Sequence, residues 1–255
     1  MKVISFFNRK GGTGKTSLSF MFARYIAASK NKVIFLDLDP QRTATNNFIR
    51  FSDITKNDII EKNIFEVLLD KKSISGCKLS IDSFTDILAG SYDLSEIQAT
   101  ASPFCIQDIK ENVKDDYDYM IIDNAPNFSN IIQAAIVAAD LVIIPTLPAL
   151  EDVEQAHWTL DRVRKVNRQA ECKILMNQFN FDRFGKLVSE ILEAYEPIFK
   201  DDLLKFAIPD SQKIRAYTAT GEKITNAKNK ESILDNFSNL YNYVSGQSIP
   251  ALIEF

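Results

Sequence analysis

The chain has 255 residues, 45% of them hydrophobic and 25% charged, which fits one large domain with a full core. Its 30 Lys and Arg against 34 Asp and Glu leave a net charge of −4, which excludes nucleic-acid binding through overall positive charge and leaves only a local patch. No apolar stretch approaches the roughly 20 residues that span a bilayer, and a strand rather than a signal peptide starts the sequence, which predicts a cytoplasmic location.

Apolar, β-rich segments alternate with helical patterns along the chain. The predicted strands are Val3–Phe7, Val33–Leu38, Phe84–Ala89, Tyr119–Asp123, Leu141–Pro145, Lys173–Asn177 and Leu203–Ile208. The predicted helices lie near residues 15–29, 43–50, 104–114, 128–138, 150–168, 183–196 and 231–244. This alternation predicts an α/β fold, with a doubly wound, mostly parallel sheet of about seven strands flanked by helices. Because no repeat or linker interrupts the pattern, residues 1–255 are predicted to form a single domain.

The loop after the first strand reads NRKGGTGKTS over residues 8–17 and leads into a helical pattern. Gly11, Gly12 and Gly14 let backbone N–H groups converge on phosphate oxygens without an obstructing Cβ. Lys15 would reach the terminal phosphates, and the Thr16 hydroxyl would coordinate Mg²⁺. The helix that begins near Lys15 presents its positive end to the same anion. The loop therefore predicts a nucleotide phosphate site.

The loop departs from the general pattern G-x-x-x-x-G-K-[ST], because Arg9 stands where glycine is usual and Lys10 is an additional lysine. This form resembles the deviant Walker A motif, K-G-G-x-G-K-[ST], of the ParA/MinD family of dimerising ATPases. The resemblance implies that Lys10 crosses the interface of an ATP sandwich dimer and contacts the nucleotide of the partner subunit. A cation supplied in this way offsets charge on the transferring phosphoryl group, and it makes nucleotide state and dimerisation one event.

Carboxylates end two of the buried strands. Asp37 and Asp39 end the second strand, at the sheet edge where ligands sit in open α/β folds. Side chains alternate along a strand, so both could face the phosphate loop; ordinary loop carboxylates are the alternative reading. The stretch resembles the Walker A′ motif of ParA proteins, which implies that Asp39 orients or activates the attacking water and that Asp37 supports it or the metal shell.

Asp123 ends the apolar strand Tyr119–Asp123, as in a Walker B motif, and would hold Mg²⁺ directly or through a water bound to Thr16. ParA relatives usually continue with two prolines, whereas Asn124, Ala125 and Pro126 follow here. The difference lies in the loop, so it is expected to affect switch motion rather than metal binding.

The adenine side rests on resemblance. Asn177 looks like the asparagine that hydrogen-bonds the adenine edge, with a strand-end cap as the alternative, and Pro209 resembles the segment that closes over the base. Family members carry basic residues after this point that bind DNA without sequence preference. Here Lys213 and Arg215 are the candidates, with further basic residues at Lys223, Lys228, Lys230 and along helix 150–168. A solvated basic face is the competing interpretation.

The sequence also bears on two alternatives. A MinD-like membrane-positioning ATPase needs basic residues beside the apolar face of a terminal helix, but the pattern at 231–244 has acidic and amide residues opposite its apolar ones. A metabolic or metal-handling relative with a cluster needs paired cysteines, whereas Cys77, Cys105 and Cys172 are scattered and predicted to be reduced. His157, the only histidine, is expected to pack in the core.

The leading prediction is a ParA-type ATPase for plasmid or chromosome partition. It would bind ATP and Mg²⁺, form a homodimer with ATP, bind DNA non-specifically, respond to a ParB-like adaptor, turn over weakly alone, avoid membranes, and be nucleoid-associated when ATP-bound. The predicted catalytic residues are Lys10, Lys15 and Asp39. The predicted nucleotide-binding residues are Lys10, Gly11, Gly12, Thr13, Gly14, Lys15, Thr16, Ser17, Asn177 and Pro209. The predicted metal residues are Thr16, Asp39 and Asp123, and the predicted DNA contacts are Lys213 and Arg215.

Overall fold

The computed structural model describes residues 1–179, 190–191, 193–220 and 237–247, without the side chains of residues 213, 219 and 220. Within these residues the chain forms an eight-stranded sheet flanked by helices. The strands are β1 Lys2–Phe6, β2 Val33–Asp37, β3 Lys78–Asp82, β4 Thr85–Leu88, β5 Tyr119–Asp123, β6 Leu141–Thr146, β7 Glu171–Phe179 and β8 Leu203–Pro209. Their order across the sheet is β3-β4-β2-β5-β1-β6-β7-β8. The predicted α/β fold is confirmed.

The additional strand is β3, so the expected number of about seven was one too low. It pairs antiparallel with β4, whereas the other paired strands run parallel. Leu79 and Ile81 face the core while Ser80 and Asp82 are exposed, as in an edge strand that buries one face. The apolar runs of the central strands are continuous, and this short alternating segment lacked such a run.

The described helices surround the sheet, and the helix after the phosphate loop begins at Lys15, as predicted. They are α1 Lys15–Ala28, α2 Thr43–Ile49, α3 Lys56–Glu61, α4 Ile64–Leu68, α5 Ile74–Cys77, α6 Leu94–Ile97, α7 Cys105–Val113, α8 Asn130–Ala138, α9 Leu150–Val166, α10 Gln212–Thr220 and α11 Ser238–Ser245. Residues 190–191 and 193–199 are also helical and overlap the segment predicted at 183–196, with the helix continuing three residues past it. Residues 180–189, 192 and 231–236 lie outside the described residues.

Two apolar layers hold the helices on the sheet. One layer packs α7, α8 and α9 onto one face, through residues such as Ile109, Ile132 and Leu160. The other packs α1, α10 and α11 onto the opposite face, through residues such as Phe20 and Leu240. At about 25 cal/mol per Å² of apolar area removed from water, burial on both faces is the main stabilising contribution. It also explains why β1, β2 and β5 are apolar almost throughout.

Helix α11 docks on the protein, as its apolar pattern predicted. Leu240 and Val244 are buried, the Tyr241 ring lies 5.4 Å from that of Tyr25, and the Lys2 ammonium donates to the Val244 carbonyl at 2.9 Å. Among the described residues, none of the helices combines the length and apolarity needed to cross a membrane.

The sheet order decides where the candidate residues meet. Strands β2, β5 and β1 are adjacent and parallel, so the loops after Phe6, Asp37 and Asp123 open at the same edge. In doubly wound sheets this edge is where ligands bind.

Candidate nucleotide site

The phosphate loop runs from the end of β1 to the start of α1 and depends on two glycines with positive φ. Gly12 has φ +78° and Gly14 has φ +91°, a conformation that residues with a Cβ adopt at a cost. Gly14 is the N-cap of α1, and its carbonyl accepts a hydrogen bond from Leu18 N at 2.9 Å. The first backbone N–H groups of α1 therefore remain available for an anion, as in known phosphate sites.

Asn177 is packed against this loop from β7. Its Nδ2 donates a 2.9 Å hydrogen bond to the Thr13 carbonyl, and the side chain is buried. A Cβ on Gly14 would lie 2.1 Å from the same Nδ2 atom. Asn177 therefore fixes the shape of the loop and requires glycine at position 14. Its contact with adenine stays a prediction.

Lys15 is the buried cation of the loop. Its Nζ donates to the Lys10 carbonyl at 3.1 Å, which holds the ammonium across the loop. Burial lowers its pKa, while the negative charges of Asp123 and Asp39 act in the opposite direction. A buried cation with so few neutralising partners is well suited to bind an anion such as a phosphate group.

Lys10 lies in the same loop, but its charge partners are on α9. The ammonium forms a hydrogen-bonded ion pair with Asp152, which is 1% exposed, and contacts Glu151 at 3.3 Å. The hydrogen bond with Asp152 is the main reason that the pKa of Lys10 is raised. In this subunit the ammonium therefore interacts with residues outside the predicted site.

Asn8 is a buried residue that anchors the phosphate loop, and the sequence analysis did not single it out. It is 1% exposed, its Oδ1 accepts from Lys10 N at 2.9 Å, and its Nδ2 donates to the Pro145 carbonyl at 2.7 Å. The Thr159 hydroxyl on α9 also donates to Oδ1, at 3.3 Å. Asn8 thus joins the loop to β6 and α9. A polar residue directly after an apolar strand was the available signal.

Asp123 is completely buried, and neither carboxylate oxygen makes a hydrogen bond. The pKa of Asp123 is raised well above its usual range, first by burial and next by the charge of Asp37. The nearby Thr16 hydroxyl and Lys15 ammonium favour the ionised form, although Thr16 makes no hydrogen bond of normal geometry with it. Two buried carboxylate oxygens without partners fit a hard cation such as Mg²⁺.

Asn124, the residue after Asp123, ties the end of β5 to β1. Its Nδ2 donates to the Ser5 hydroxyl at 2.7 Å and to the Phe6 carbonyl at 2.9 Å. Its Oδ1 is buried without a partner. Asn124 is therefore a hydrogen-bonded anchor between the two strands that lead into the phosphate loop and Asp123.

Asp37 and Asp39 have different surroundings, although both lie at the end of β2. Asp37 Oδ2 accepts from Thr45 N at 2.8 Å and from the Thr45 hydroxyl at 2.7 Å, which anchors α2. Burial raises the pKa of Asp37. Asp39 is only half-buried, and its Oδ1 accepts from Gln41 N at 2.9 Å. Asp37 thus supports the loop that carries Asp39, and Asp39 is the carboxylate more open to water.

Helix α9 differs from its prediction. Its buried face consists of Asp152, Ala156, Thr159, Leu160 and Val163. His157 is exposed, so the expected core position was wrong. Neighbouring residues of a helix point about 100° apart, and the buried face that includes Ala156 leaves His157 turned toward solvent. The buried Asp152 was missed, because its partner Lys10 lies 142 residues away. A carboxylate on an otherwise apolar helix face was the signal that could have found it.

The remaining candidates lie on the other side of the loop or at the surface. Pro209 is at the end of β8, and Asp210 N donates to the Phe179 carbonyl at 3.0 Å. Arg215 is exposed on α10 and pairs with Asp210. Arg164 on α9 pairs with Asp202, and Lys165 pairs with Asp161, both at 2.7 Å. Three of the basic residues proposed for DNA binding are therefore partly neutralised.

Several of the basic residues named for DNA binding lie partly or wholly outside the described residues. The side chain of Lys213 and residues Lys223, Lys228 and Lys230 lie outside the described residues. Within the described part of the chain, no group of three or more His, Cys, Asp or Glu side chains is arranged to hold a metal ion. Magnesium would therefore depend on Asp123, Thr16 and Asp39 together with phosphate and water oxygens, as is common for this ion.

Comparisons with known proteins identify relatives of this chain and of its fold. The sequence model of a family described as an AAA domain matches residues 1–174. The sporulation initiation inhibitor protein Soj of Bacillus subtilis is 25% identical over 232 residues, covering 88% of this chain and 90% of Soj. The chromosome partitioning protein ParA of Myxococcus xanthus is 26% identical, covering 88% of this chain and 80% of ParA. A putative plasmid partition protein from Borrelia burgdorferi, solved with AMPPNP, has the same fold, with a TM-score of 0.82 at 22% identity over 96% of this chain and 99% of that one.

Proposed function

The chain belongs to the ParA/MinD family of P-loop ATPases, and from that premise we propose that it is a partition ATPase that forms a sandwich dimer with ATP. The observation that carries the proposal is the position of Lys10. Its backbone is part of the phosphate loop, yet its ammonium is bound to carboxylates of α9 and contributes nothing to the phosphate site of its own subunit. A second lysine placed in this way suits a role at the site of a partner.

The nucleotide would occupy the loop between β1 and α1. Backbone N–H groups from Gly11 to Ser17 would surround the phosphates, and Lys15 would neutralise their terminal charge. Asn177 and Pro209, on β7 and β8, would contact adenine. The AMPPNP in the Borrelia burgdorferi relative supports this ligand class.

Hydrolysis would use the carboxylates at the ends of β2 and β5. Asp123 would hold Mg²⁺ together with the Thr16 hydroxyl, and charge that develops on the phosphates would be neutralised by the bound ion. Asp39 would orient or activate the attacking water, because it is the more accessible carboxylate. Lys10 of the partner would add a second cation at the same phosphates, an effect worth about 10³ to 10⁵ in rate in related enzymes.

Partition would follow from a dimer that binds DNA only with ATP. Lys213 and Arg215 on α10 are the proposed phosphate contacts, which would give affinity without sequence preference. A ParB-like adaptor would stimulate hydrolysis and thereby release the dimer. The named relatives Soj and ParA support this assignment as a class of function, with cargo and adaptor left to experiment.

The first test is the Lys10→Ala variant. It should keep ATP binding, because Lys15 and the loop glycines remain, and it should lose hydrolysis to the background level. Lys32→Ala is the matched control, since Lys32 is exposed and precedes β2 at the edge of the sheet away from the site. Turnover measured with DNA and with the product of a neighbouring reading frame should fall only in Lys10→Ala. Unchanged turnover in that variant would refute the role of Lys10.

The second test concerns Asp39. The Asp39→Ala variant should bind ATP and accumulate as a long-lived dimer, visible by size exclusion with light scattering, because water activation is lost while the phosphate site is kept. If this variant stays monomeric with ATP and Mg²⁺, the assignment of Asp39 is wrong. Purified wild type should also hydrolyse ATP slowly when no DNA or adaptor is present.

A further inference from the structure

The outer face of α9 combines a half-buried tryptophan with charges of opposite sign at its two ends. Trp158 is at the centre, and its ring is flanked by two guanidinium groups, Arg9 at 4.7 Å and Arg162 at 5.2 Å from the ring centre. The ring also packs edge-on against Phe128 at 5.8 Å. Tryptophan and arginine are both enriched among the residues that dominate binding energy at protein interfaces.

The exposed charges on this face differ between the first and the second half of the helix. Glu151 and Glu154 are exposed before Trp158, whereas Arg162 and Lys165 are exposed after it. These positions lie four or seven residues from Trp158, so they share its face of the helix. Asp161, three residues after Trp158, is also exposed and pairs with Lys165 at 2.7 Å, so the positive charge after the ring comes mainly from Arg162. The face is therefore acidic before the aromatic ring and basic at Arg162 after it.

Such a face is complementary to itself when two copies run antiparallel. A two-fold axis through Trp158 places Glu154 of each copy opposite the partner's Arg162. Glu151 and Lys165 already pair with Lys10 and Asp161 in their own subunit, so the reciprocal contact of Glu154 with Arg162 carries the complementarity. Two-fold interfaces require this reciprocity, in which residue i meets j and j meets i. Like charges would face each other only if the helices ran parallel.

We propose that the outer face of α9, centred on Trp158 with Arg9 and Arg162, contacts the same face of a second copy in the ATP-bound dimer. The inference rests on the proposed function, because it assumes the sandwich dimer. Its link to that dimer is Arg9, which precedes Lys10 in the phosphate loop and touches Trp158. If Lys10 is to reach the partner's nucleotide, the surface beside it must also approach the partner.

Charge reversal and its rescue test the pairing. Dimerisation is measured by sedimentation velocity with saturating AMPPNP and Mg²⁺. Glu154→Arg and Arg162→Glu should each weaken the dimer by about tenfold or more, because each change creates two like-charge contacts by symmetry. The double variant Glu154→Arg/Arg162→Glu restores opposite charges and should recover affinity to within about threefold of wild type. Glu96→Arg, a charge reversal at an exposed position on α6, is the control that should leave affinity unchanged.

The variants also separate a second copy from nucleic acid as the occupant. If this face bound DNA instead, Glu154→Arg would strengthen DNA binding and leave the dimer unaffected, and the double variant would show no rescue. Either result would overturn the proposal. Higher salt should reduce the penalties of the single variants, since these charges are exposed.

Trp158 offers a measurement that needs no substitution, because it is the only tryptophan in the chain. At saturating AMPPNP its emission should shift to shorter wavelength as protein concentration rises through the dimerisation range, since the ring loses water contact. A dimer that forms with no concentration-dependent shift and no effect of charge reversal would refute this interface while leaving the proposed function standing. Wild type that stays monomeric with AMPPNP would instead refute the proposed function itself.

Discussion

Alanine substitution of the three loop glycines should produce three different losses of stability. Gly11 has no positive φ and no atom within 4 Å of an added Cβ, so Gly11→Ala should change the free energy of unfolding by less than about 0.5 kcal/mol. Gly12 has φ +78° with open space around it, so Gly12→Ala should cost only the left-handed strain, about 1–2 kcal/mol.

Gly14→Ala should cost more than Gly12→Ala, because it adds a collision to the same strain. The new Cβ would lie 2.1 Å from Asn177 Nδ2, so the amide must move and its buried hydrogen bond to the Thr13 carbonyl is lost. An unsatisfied buried polar group costs about 1–3 kcal/mol. Together with the strain, the expected total is about 2–5 kcal/mol.

Urea unfolding of the nucleotide-free protein measures these differences, and Asn177→Ala isolates the collision. In that background Gly14→Ala should cost only about 1–2 kcal/mol, the strain alone, so the double-mutant cycle should show a coupling of about 1–3 kcal/mol. Equal costs for Gly12→Ala and Gly14→Ala, or a cost of Gly14→Ala that Asn177→Ala does not reduce, would refute the contact between β7 and the loop.

Three further predictions concern charge. Lys10→Ala should destabilise the nucleotide-free protein by about 1–3 kcal/mol in urea unfolding, since it leaves Asp152 buried and unpaired. The double variant Lys10→Ala/Asp152→Asn should recover most of this stability. Equal instability of both variants would contradict the ion pair. Burial raises the pKa of Asp123 in the folded protein. The stability that this shift contributes is complete below the unfolded-state pKa of about 4 and is lost as pH rises through the folded-state pKa. The free energy of unfolding of the metal-free protein should therefore fall toward neutral pH, and Asp123→Asn should flatten that profile. Binding to duplex DNA with ATP should fall with salt at a log–log slope of about −0.9 per phosphate contact, and Arg215→Ala should reduce the slope by about one; a salt-independent affinity would remove the α10 patch from the proposal.

Local patterns predicted most of the fold. The strands that became β1, β2, β5 and β6 were apparent because helices cover both of their faces, and a strand buried on both sides needs a continuous apolar run. The edge strand β3 was missed because it buries one face only and pairs with a neighbour in a short hairpin. Helix α11 docks as expected, because its apolar face was visible at helical spacing.

The candidate site was predictable in part, for a similar reason. Gly12, Gly14, Lys15 and Asp123 each follow or end an apolar strand, so their meeting point follows once the sheet is parallel. The roles of Asp37 and Asp39 could not be separated, because the anchoring partner of Asp37 is Thr45 on the next helix. Likewise Asn8 became visible as a hub only when β6 and α9 were placed beside the loop.

By itself the sequence determined the α/β architecture, the phosphate loop and the carboxylates at the strand ends, since these depend on periodicity and on neighbours a few residues apart. Only the tertiary structure decided that Lys10 rests on Asp152, that Asn177 occupies the space beside Gly14, and that His157 is exposed while Arg215 is paired. Most of these contacts join residues far apart along the chain, or turn on which helix face meets the sheet. The strand order and the rotation of each helix set them, and both are properties of the packed molecule as a whole.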